Sequence, residues 1–358
     1  MKVGIVGLPL VGKSTLFRLL TGMAPAPPSG RPEARVGIAR VPDPRLDRLA
    51  EMYEPRKKTP ATVEYVDVPG VAKGEGSALV DLPALRGVDA LVHVVRAFES
   101  DRVAHSEGSI DPARDAQIFD LELILADLGA VERRLERLEA NIKKANKAED
   151  VAERGLFLRL REHLERETPL RQAELAEEDR RRLRNYSLLS EKPLLIVVNL
   201  GEDGVEHADQ ALRAAGLAAL ADRPRTAVCA VSATIEAEIS ELAPADARAF
   251  LLDLGLAEPG LDRVARVSYA LLGLISFLTT GEDECRAWTI RRGTRAQDAA
   301  GEIHSDIERG FIRAEVVHYD DLVSAGSIAT CRERGTLRLE GKDYVVKDGD
   351  VINFRFAV

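Results

Sequence analysis

The sequence predicts an α/β protein built around a mostly parallel β-sheet, with an inserted helical segment and a small β-rich module at its end. Short apolar runs alternate with helix-type stretches, as is typical of α/β domains. They lie at 2–7, 36–41, 62–68, 90–98, 194–200 and 225–231. A long charged segment interrupts the alternation, and strand-type patterns dominate the last part of the chain. The predicted regions are 1–111 with 187–274, 112–186, and 275–358.

The composition is ordinary for a globular protein of two or three domains. The chain has 358 residues, of which 45% are hydrophobic and 30% charged, with a formal net charge of −9. This charge argues against a general polyanion binder, and we expect no DNA partner. Three isolated cysteines, Cys229, Cys285 and Cys331, form no C-x-x-C pair and favour a reducing cytoplasm. The first apolar run is short, so we expect neither a signal peptide nor a membrane span.

The inserted segment carries a helical seam. Its apolar residues follow a 3-4-3-4-3-4 spacing, which is typical of a coiled-coil face. They are Leu121, Ile124, Leu128, Val131, Leu135, Leu138 and Ile142. A second run, with Leu156, Leu160 and Leu164, follows the polar stretch "KKANKAED". We therefore predict an antiparallel helical hairpin whose charges form either a solvated face or a binding surface.

The stretch "GLPLVGKST" at residues 7–15 fits the phosphate-binding pattern G-x-x-x-x-G-K-[ST]. Its two glycines let successive backbone N–H groups point inward, and the following helix adds its positive end. A lysine then faces the outer phosphates, and a hydroxyl is the usual Mg²⁺ ligand. Nucleotide contacts are predicted at Gly7, Leu10, Val11, Gly12, Lys13, Ser14 and Thr15. The apolar run before this loop and the helix-type run after it support the motif.

Later strands supply the other predicted contacts. "TVEYVDVPG" ends in Asp67-x-x-Gly70, so Asp67 is a candidate for the Mg²⁺ shell and Gly70 for the terminal phosphate. "LLIVVNLGED" offers Asn199, Leu200 and Glu202 to the base. Guanine-specific proteins usually have Asn-Lys-x-Asp here, and Leu200 and Glu202 remove that pair. Asn199 is then expected to be free to meet the adenine amino edge. In "AVSATIEAEI", Ser232 and Ala233 complete the base-side loop.

The C-terminal region is predicted to form a strand, a helix, a strand and a final strand pair, in "RAWTIRRGTRAQDAAGEIH", "FIRAEVVHY" and "DYVVKDGDVINFRFAV". Within the last segment "KDGD" is a turn signal.

At this point the chain resembles the YchF-type Obg-like ATPases of the translation-factor class over nearly its whole length. The resemblance rests on "VGIVGLPLVGKSTLF", "VPDPRLDRLAEMYEPRKKTPATVEYVDVPG", "ELILADLGAVERRLERL", "NLGED", "CRAWTIRRGT" and the C-terminal "GKDYVVKDGDVINFRF". It implies a P-loop NTPase domain with an inserted α-helical coiled-coil hairpin and a C-terminal β-grasp-like TGS domain. It also implies ATP preference, slow Mg²⁺-dependent hydrolysis, and association with ribosomes or ribosomal RNA.

The resemblance further implies that a histidine after the fourth strand orients the attacking water, and the matching residue is His105. A neutral imidazole suits that role near pH 7. His93, inside an apolar strand, is predicted to be a core residue. Three departures stand out: Leu10 replaces a usual Asn, Arg31 lies where the first switch usually has Thr, and the second switch is shorter. The alternatives left open are a nucleotide-dependent binding module without useful turnover and a GTP-specific switch. The chain lacks a G-x-G-x-x-G after a strand, which disfavours an oxidoreductase.

Overall fold

The computed structural model describes residues 1–24, 34–68, 82–100 and 105–357. Within these residues the predicted fold class is confirmed: an α/β sheet domain, a helical insertion and a C-terminal sheet domain. The chain divides into two compact units, one of residues 1–38 with 64–271 and the other of residues 39–63 with 272–358.

The first sheet contains the six predicted apolar runs, in the order β2-β4-β1-β5-β6-β7. The pairs β1–β4, β1–β5, β5–β6 and β6–β7 are all parallel. Parallel strands covered on both faces are expected to be apolar throughout, and β6 is buried along its whole length. Its strands are β1 (Lys2–Val6), β2 (Arg35–Val41), β4 (Ala61–Asp67), β5 (Ala90–Ala97), β6 (Leu194–Leu200) and β7 (Thr226–Val231).

The helical hairpin is confirmed. The helix α4 (Pro112–Ala145) begins where Asp111 Oδ1 accepts from Arg114 N at 3.0 Å, and Asn146 ends it in the left-handed conformation. The helix α5 (Ala148–Glu165) follows after Lys147 and packs back against it. Four seam residues and all three leucines of the second run are buried, whereas Leu121 is 39% exposed, so the buried seam starts at Ile124.

The remaining helices of the first unit flank its strands or follow the hairpin. They are α1 (Lys13–Thr21), α3 (Leu82–Arg86), α6 (Glu177–Leu183), α7 (Ala208–Ala214), α8 (Ala233–Glu241), α9 (Pro244–Asp253) and α10 (Gly260–Leu271), with 3₁₀ turns Leu170–Gln172, Arg184–Tyr186, Glu202–Gly204 and Ala218–Leu220. None of the helices in the described part of the chain is long and apolar enough to cross a membrane.

The second unit is built on a six-stranded sheet of order β11-β10-β12-β8-β9-β3. The predicted turn is present: Asp350 N donates to Lys347 O at 3.2 Å, with Gly349 at φ 86°. Its strands are β3 (Lys57–Thr59), β8 (Leu274–Thr279), β9 (Glu284–Arg291), β10 (Phe311–His318), β11 (Arg338–Glu340) and β12 (Asp350–Phe356). Its helices are α2 (Pro44–Tyr53), α11 (Ala296–Ile303), α12 (Ser305–Arg309), α13 (Tyr319–Ala325) and α14 (Ile328–Glu333).

Candidate nucleotide-binding site

The glycine loop between β1 and α1 is held in a conformation that only glycine permits at two positions. Gly7 has φ 144°, and a Cβ there would lie 2.4 Å from the carbonyl oxygen of Val94. Gly12 has φ 101°, and a Cβ there would lie 2.4 Å from Nδ2 of Asn199. The backbone can therefore approach β5 and Asn199 closely and still curl before the helix.

Lys13 begins the helix with its side chain folded into the loop. The residue is only 8% exposed, and its Nζ donates to the carbonyl oxygen of Leu8 at 2.7 Å. Burial lowers the pKa of Lys13 to about 8, while the Asp67 carboxylate opposes that shift. Ser14 is exposed and Thr15 half-buried at the first turn of the helix. The Lys13 ammonium is thus held against the backbone by this hydrogen bond. It lies within a loop whose backbone N–H groups suit phosphate oxygens.

Leu10 and Val11 occupy opposite environments in the same loop. Val11 is 1% exposed and anchors the loop to the core, whereas Leu10 is 63% exposed. Leu10 also has φ 63°, a left-handed conformation that costs a non-glycine residue about 1–2 kcal/mol. Asn tolerates this region better than Leu, so the replacement noted in the sequence places strain at the tip of the loop.

Asn199, at the carboxyl end of β6, connects the glycine loop to the base-side loop. Its Nδ2 donates to the carbonyl oxygen of Val11 at 3.0 Å, and its Oδ1 accepts from the backbone N–H of Ala233 at 3.0 Å. The residue is 4% exposed. One N–H of Asn199 and its Oδ1 therefore already bind the backbones of two loops, and the contact of its second N–H with a base stays a prediction.

The other base-side residues differ in exposure. Leu200 is 5% exposed and belongs to the core cluster of the first unit. Glu202 is exposed and opens a 3₁₀ turn. Ser232 is 2% exposed, and its Oγ has no hydrogen-bond partner among the described residues, although it precedes α8 at the capping position. A buried hydroxyl without a partner is costly, so a ligand atom at Ser232 would satisfy it.

Asp67 lies at the end of β4, level with Ile5 of β1. The following Val68 donates its N–H to Ile5 O at 3.1 Å, which continues the parallel pairing to the edge of the sheet. Asp67 is 8% exposed and close enough to Lys13 to act on its charge. Carboxylate and hydroxyl oxygens are ligands that Mg²⁺ prefers, so the donors of Asp67 and Ser14 fit that ion. Gly70 and Arg31 lie outside the described residues.

His105 is placed with both ring nitrogens directed at the protein. Its Nδ1 accepts from the backbone N–H of Glu107 at 3.1 Å. Its Nε2 lies 3.0 Å from Asp115 Oδ2, an ion-pair distance without hydrogen-bond alignment, and the side chain is 5% exposed. Asp115, in the first turn of α4, is a neighbour that the sequence pattern does not single out. Only its closeness to the helix start at "DPARD" offers a signal.

His93 is a core residue, as predicted. It is 1% exposed and its ring packs against Phe119 with centroids 4.2 Å apart. Burial lowers the pKa of His93 to about 3, and the positive charges of Lys13 and Arg171 act in the same direction. The ring is therefore neutral at physiological pH.

A glycine loop, a buried lysine and a strand-ending aspartate at the carboxyl edge of a parallel sheet define a P-loop nucleotide-binding protein. Two family models agree. Residues 2–114 match the model described as "50S ribosome-binding GTPase". Residues 274–357 match the YchF-GTPase_C model, described as a protein of unknown function.

Full-length relatives identify the family. The chain is 44% identical over 366 residues to "Ribosome-binding ATPase YchF" of Bacillus subtilis, covering 100% of both chains. It is 43% identical to the protein of the same name from Haemophilus influenzae, covering 100% of this chain and 99% of that one. It is 35% identical to "Obg-like ATPase 1" of Oryza sativa, covering 100% of this chain and 92% of the other. The solved structure of the Schizosaccharomyces pombe YchF GTPase matches with a TM-score of 0.85 and 31% identity, covering 99% and 97% of the two chains. The chain belongs to the YchF family.

Proposed function

We propose that this protein is an ATPase that acts with the ribosome. The observation that carries the proposal is the Asn199 bridge, which joins the glycine loop to the base-side loop into one binding surface. Full-length relatives named "Ribosome-binding ATPase YchF" support both the reaction and the partner.

ATP is proposed to be preferred over GTP. In guanine-specific proteins an aspartate at this position accepts hydrogen bonds from two donors of the base. Glu202 has one more methylene than aspartate, so its carboxylate is displaced from that position. Leu200 supplies no amine stem, and its burial gives a reason why a lysine there would be unfavourable. A mismatch of this kind costs on the order of 1–3 kcal/mol. Glu202→Asp alone is the substitution to test, because the residue is exposed and the core stays intact.

Magnesium is proposed to bind through Ser14 and Asp67 together with the nucleotide. When bound, the ion neutralises charge on the phosphate oxygens. Lys13 leaves Leu8 O and turns to those oxygens, while the loop N–H groups hold the remaining ones. Gly7, Gly12 and Thr15 shape or line the same cradle.

Turnover is proposed to be slow and to depend on His105. The Nδ1 of its imidazole accepts from the backbone N–H of Glu107 at 3.1 Å, and its Nε2 faces Asp115 Oδ2 at 3.0 Å. It must leave these partners before it can orient a water, which is one reason for a low intrinsic rate. The burial of this ring, whose side chain is only 5% exposed, favours the second candidate function, a nucleotide-dependent ribosome- or RNA-binding module without useful turnover.

The ribosome-facing surface is proposed to lie on the helical region 112–186 and the C-terminal TGS region 275–358, with the nucleotide region in 1–111 and 187–274. Some basic residues there already have partners: Arg134 binds Glu153, Arg295 binds Asp343, and Arg286 stacks on Trp288 at 3.8 Å. Others are exposed and form no ion pair with a described residue. These are Arg133, Arg137, Lys143, Lys144, Arg291 and Arg292. Contacts from such side chains to phosphates are salt-sensitive, so cosedimentation with ribosomes should weaken as salt is raised.

The decisive experiment is a turnover assay of the purified protein with Mg²⁺ and either ATP or GTP, with and without ribosomes. Lys13→Met serves as the control for contaminating activity. ATP hydrolysis that exceeds the control and rises with ribosomes supports the proposal. Binding of ATP without any hydrolysis above the control would leave the binding-module function.

A further inference from the structure

Residues 105–111 form a loop that leads into α4 and lies largely at the surface. Gly108, Ser109 and Ile110 are exposed. Gly108 has φ 77°, and its N–H donates to His105 O at 3.1 Å, so the loop turns back on itself. The side chain of His105, in contrast, is only 5% exposed. The proposed catalytic ring therefore lies on the buried side of a largely exposed loop.

The ring nitrogens of His105 are not available to an attacking water in this arrangement. Its Nδ1 accepts from the backbone N–H of Glu107 at 3.1 Å, so the neutral ring carries its proton on Nε2. The buried Nε2 lies 3.0 Å from Asp115 Oδ2, without a hydrogen bond to any described residue. A water that is to be oriented needs a ring nitrogen with a free lone pair. Because the lone pair of the neutral ring is engaged by Glu107, the arrangement is a resting one.

Asp115 is fixed in place by contacts other than the one with His105. The residue is 2% exposed, and its backbone N–H donates to Asp111 O at 3.0 Å in the first turn of α4. Its Oδ1 accepts from Arg114 Nε at 3.1 Å and from Arg114 Nη2 at 2.8 Å, which leaves Oδ2 towards the ring. The same guanidinium donates to Ser109 Oγ at 2.8 Å and to Ser109 O at 2.7 Å. The loop is thus tied to Arg114 and Asp115 at two points.

The contact between His105 and Asp115 is attractive in both charge states of the ring. In the neutral ring the positive end of the Nε2–H dipole lies beside the carboxylate, and protonation of Nδ1 adds a full positive charge. Such an attraction is screened little by salt when both side chains are buried, as they are here at 5% and 1% exposed. Turning the ring outward therefore costs this attraction as well as the bond to Glu107.

We propose that Asp115 is a positioning residue that holds His105 in its inward arrangement and thereby limits ATP turnover. This inference rests on the catalytic role proposed for His105. Release from Asp115 lets the ring turn outward, where its lone pair is free to accept a hydrogen bond from a water. The low intrinsic rate then includes the small fraction of molecules in which the ring has been released.

Asp115→Asn removes the attraction with almost no change in side-chain volume. The donors of Arg114 require an oxygen acceptor, so the single carbonyl oxygen of the new amide is expected to stay with them. The amide NH₂ then faces the Nε2–H of His105, donor against donor, and the contact becomes repulsive. Asp115→Ser is a second variant, which removes the carboxylate and leaves a hydroxyl too short to hold the ring.

The test combines ATP turnover with chemical modification of the full-length protein, both with Mg²⁺ and without ribosomes. Both Asp115 variants should raise kcat about threefold to tenfold, the effect of losing one such contact, and leave ATP affinity within about twofold. Diethyl pyrocarbonate, read out by mass spectrometry, should modify His105 faster in both variants than in the wild type. Two histidines of the same sample serve as references: His304, whose side chain is 63% exposed, and the buried His93.

The matched control is Asp320→Asn. Asp320 also lies in the first turn of a helix and faces a histidine, with its Oδ2 3.3 Å from His318 Nδ1, but its side chain is 79% exposed in the second unit. Turnover and the modification of His105 should both stay at the wild-type values. Asp115→Asn combined with His105→Ala should turn over as His105→Ala does, because the gain passes through the ring. Thermal unfolding confirms that each variant folds.

The modification rates separate a failure of this inference from a failure of the catalytic role. Unchanged modification of His105 in both Asp115 variants would overturn the inference, because other contacts would then hold the ring. Faster modification with unchanged or slower turnover would overturn it too, since release of the ring would not limit the reaction. Wild-type turnover in His105→Ala would remove the catalytic role itself, and the proposed effect of Asp115 on turnover falls with it, whatever the modification rates show.

Discussion

Asn199 and His105 are both buried polar residues, but their hydrogen-bonding groups are directed at different partners. The Nδ2 and Oδ1 of Asn199 hydrogen-bond to the backbones of the glycine loop and the base-side loop. These two bonds fix the surface that is proposed to bind the nucleotide. The Nδ1 of His105 accepts a hydrogen bond from its own loop, whereas its Nε2 faces Asp115 Oδ2 at 3.0 Å without a hydrogen bond among the described residues. The Asn199 bonds therefore hold together two parts of the proposed binding surface, whereas the proposed catalytic group is directed at a carboxylate and at its own loop. Binding and turnover should accordingly respond to different substitutions.

The largest difference between the effect on turnover and the effect on ATP affinity is expected for His105→Ala. Loss of a positioned acid–base group lowers turnover about 100-fold, while ATP affinity should stay within about twofold because the described partners of His105, Glu107 and Asp115, lie outside the glycine loop. The matched control is His304→Ala, since His304 Nδ1 accepts from Asp306 N at 3.1 Å in the same local arrangement but in the second unit. Steady-state hydrolysis and calorimetry measure the two quantities. Turnover at the wild-type rate would remove His105 from the mechanism, and Arg31 would be tested next.

The converse substitution is Asn199→Ala. Removing the bridge leaves Val11 O and Ala233 N without their partner, which should lower the free energy of unfolding by about 1–3 kcal/mol. Affinities for ATP and GTP should fall by the same factor, because the loops rather than the base contacts are disturbed. The control Asn141→Ala, on the exposed face of α4, should leave both affinities unchanged and raise the free energy of unfolding by about 0.5 kcal/mol, because Ala has the higher helix propensity. A loss confined to ATP would support the direct adenine contact that the sequence suggested.

Lys13 should make both the stability of the protein and its affinity for ATP depend on pH. Its folded pKa of about 8 lies below the ordinary value of 10.5, so between these values the folded protein holds fewer protons than the unfolded chain. Stability of the ligand-free protein should therefore rise with pH across that window. Phosphate binding needs the charged amine, so ATP affinity should fall about tenfold per pH unit above about 8.

These two trends are measured by chemical denaturation and by calorimetry from pH 7 to about 10. The stability difference between wild type and Lys13→Met should change over the same range. A flat ATP affinity up to about pH 10 would show that Lys13 keeps its ordinary pKa in the loop.

The smallest effect is expected at the tip of the glycine loop. Leu10→Asn should raise the free energy of unfolding by about 0.5–1 kcal/mol, because Asn tolerates the left-handed backbone that Leu10 adopts. Leu125→Asn is the opposite control: Leu125 is 58% exposed on α4, and Asn there lowers helix propensity by about 0.5 kcal/mol. Destabilisation by Leu10→Asn, measured by urea unfolding, would contradict the assigned conformation.

Local sequence signals predicted much of this molecule. The glycine loop, the six strands of the first sheet and the hairpin each depend on residues close together in the chain. The addition of β3 to the second sheet was not predictable, because "KKT" carries no strand pattern and Lys57 pairs with the distant Glu284.

The roles of the site residues were harder to predict than their positions. Asn199 follows a clear strand, but its partners Val11 and Ala233 become neighbours only when β1, β6 and β7 assemble. The contact between His105 and Asp115 depends on how the chain enters α4, and no periodic pattern encodes it. Sequence spacing identifies which groups reach the edge of the sheet, while tertiary packing decides which of their atoms remain available.

We propose that the surface joined by Asn199 binds ATP and that Glu202 discriminates against guanine. Calorimetric titration of the wild-type protein with ATP and with GTP, both with Mg²⁺, tests it most directly. We predict that ATP binds at least about tenfold more tightly, because Glu202 does not place its carboxylate where an aspartate would accept from both guanine donors. Glu202→Asp should narrow the ratio of the ATP and GTP affinities. Equal affinities, or tighter binding of GTP, would contradict the claim.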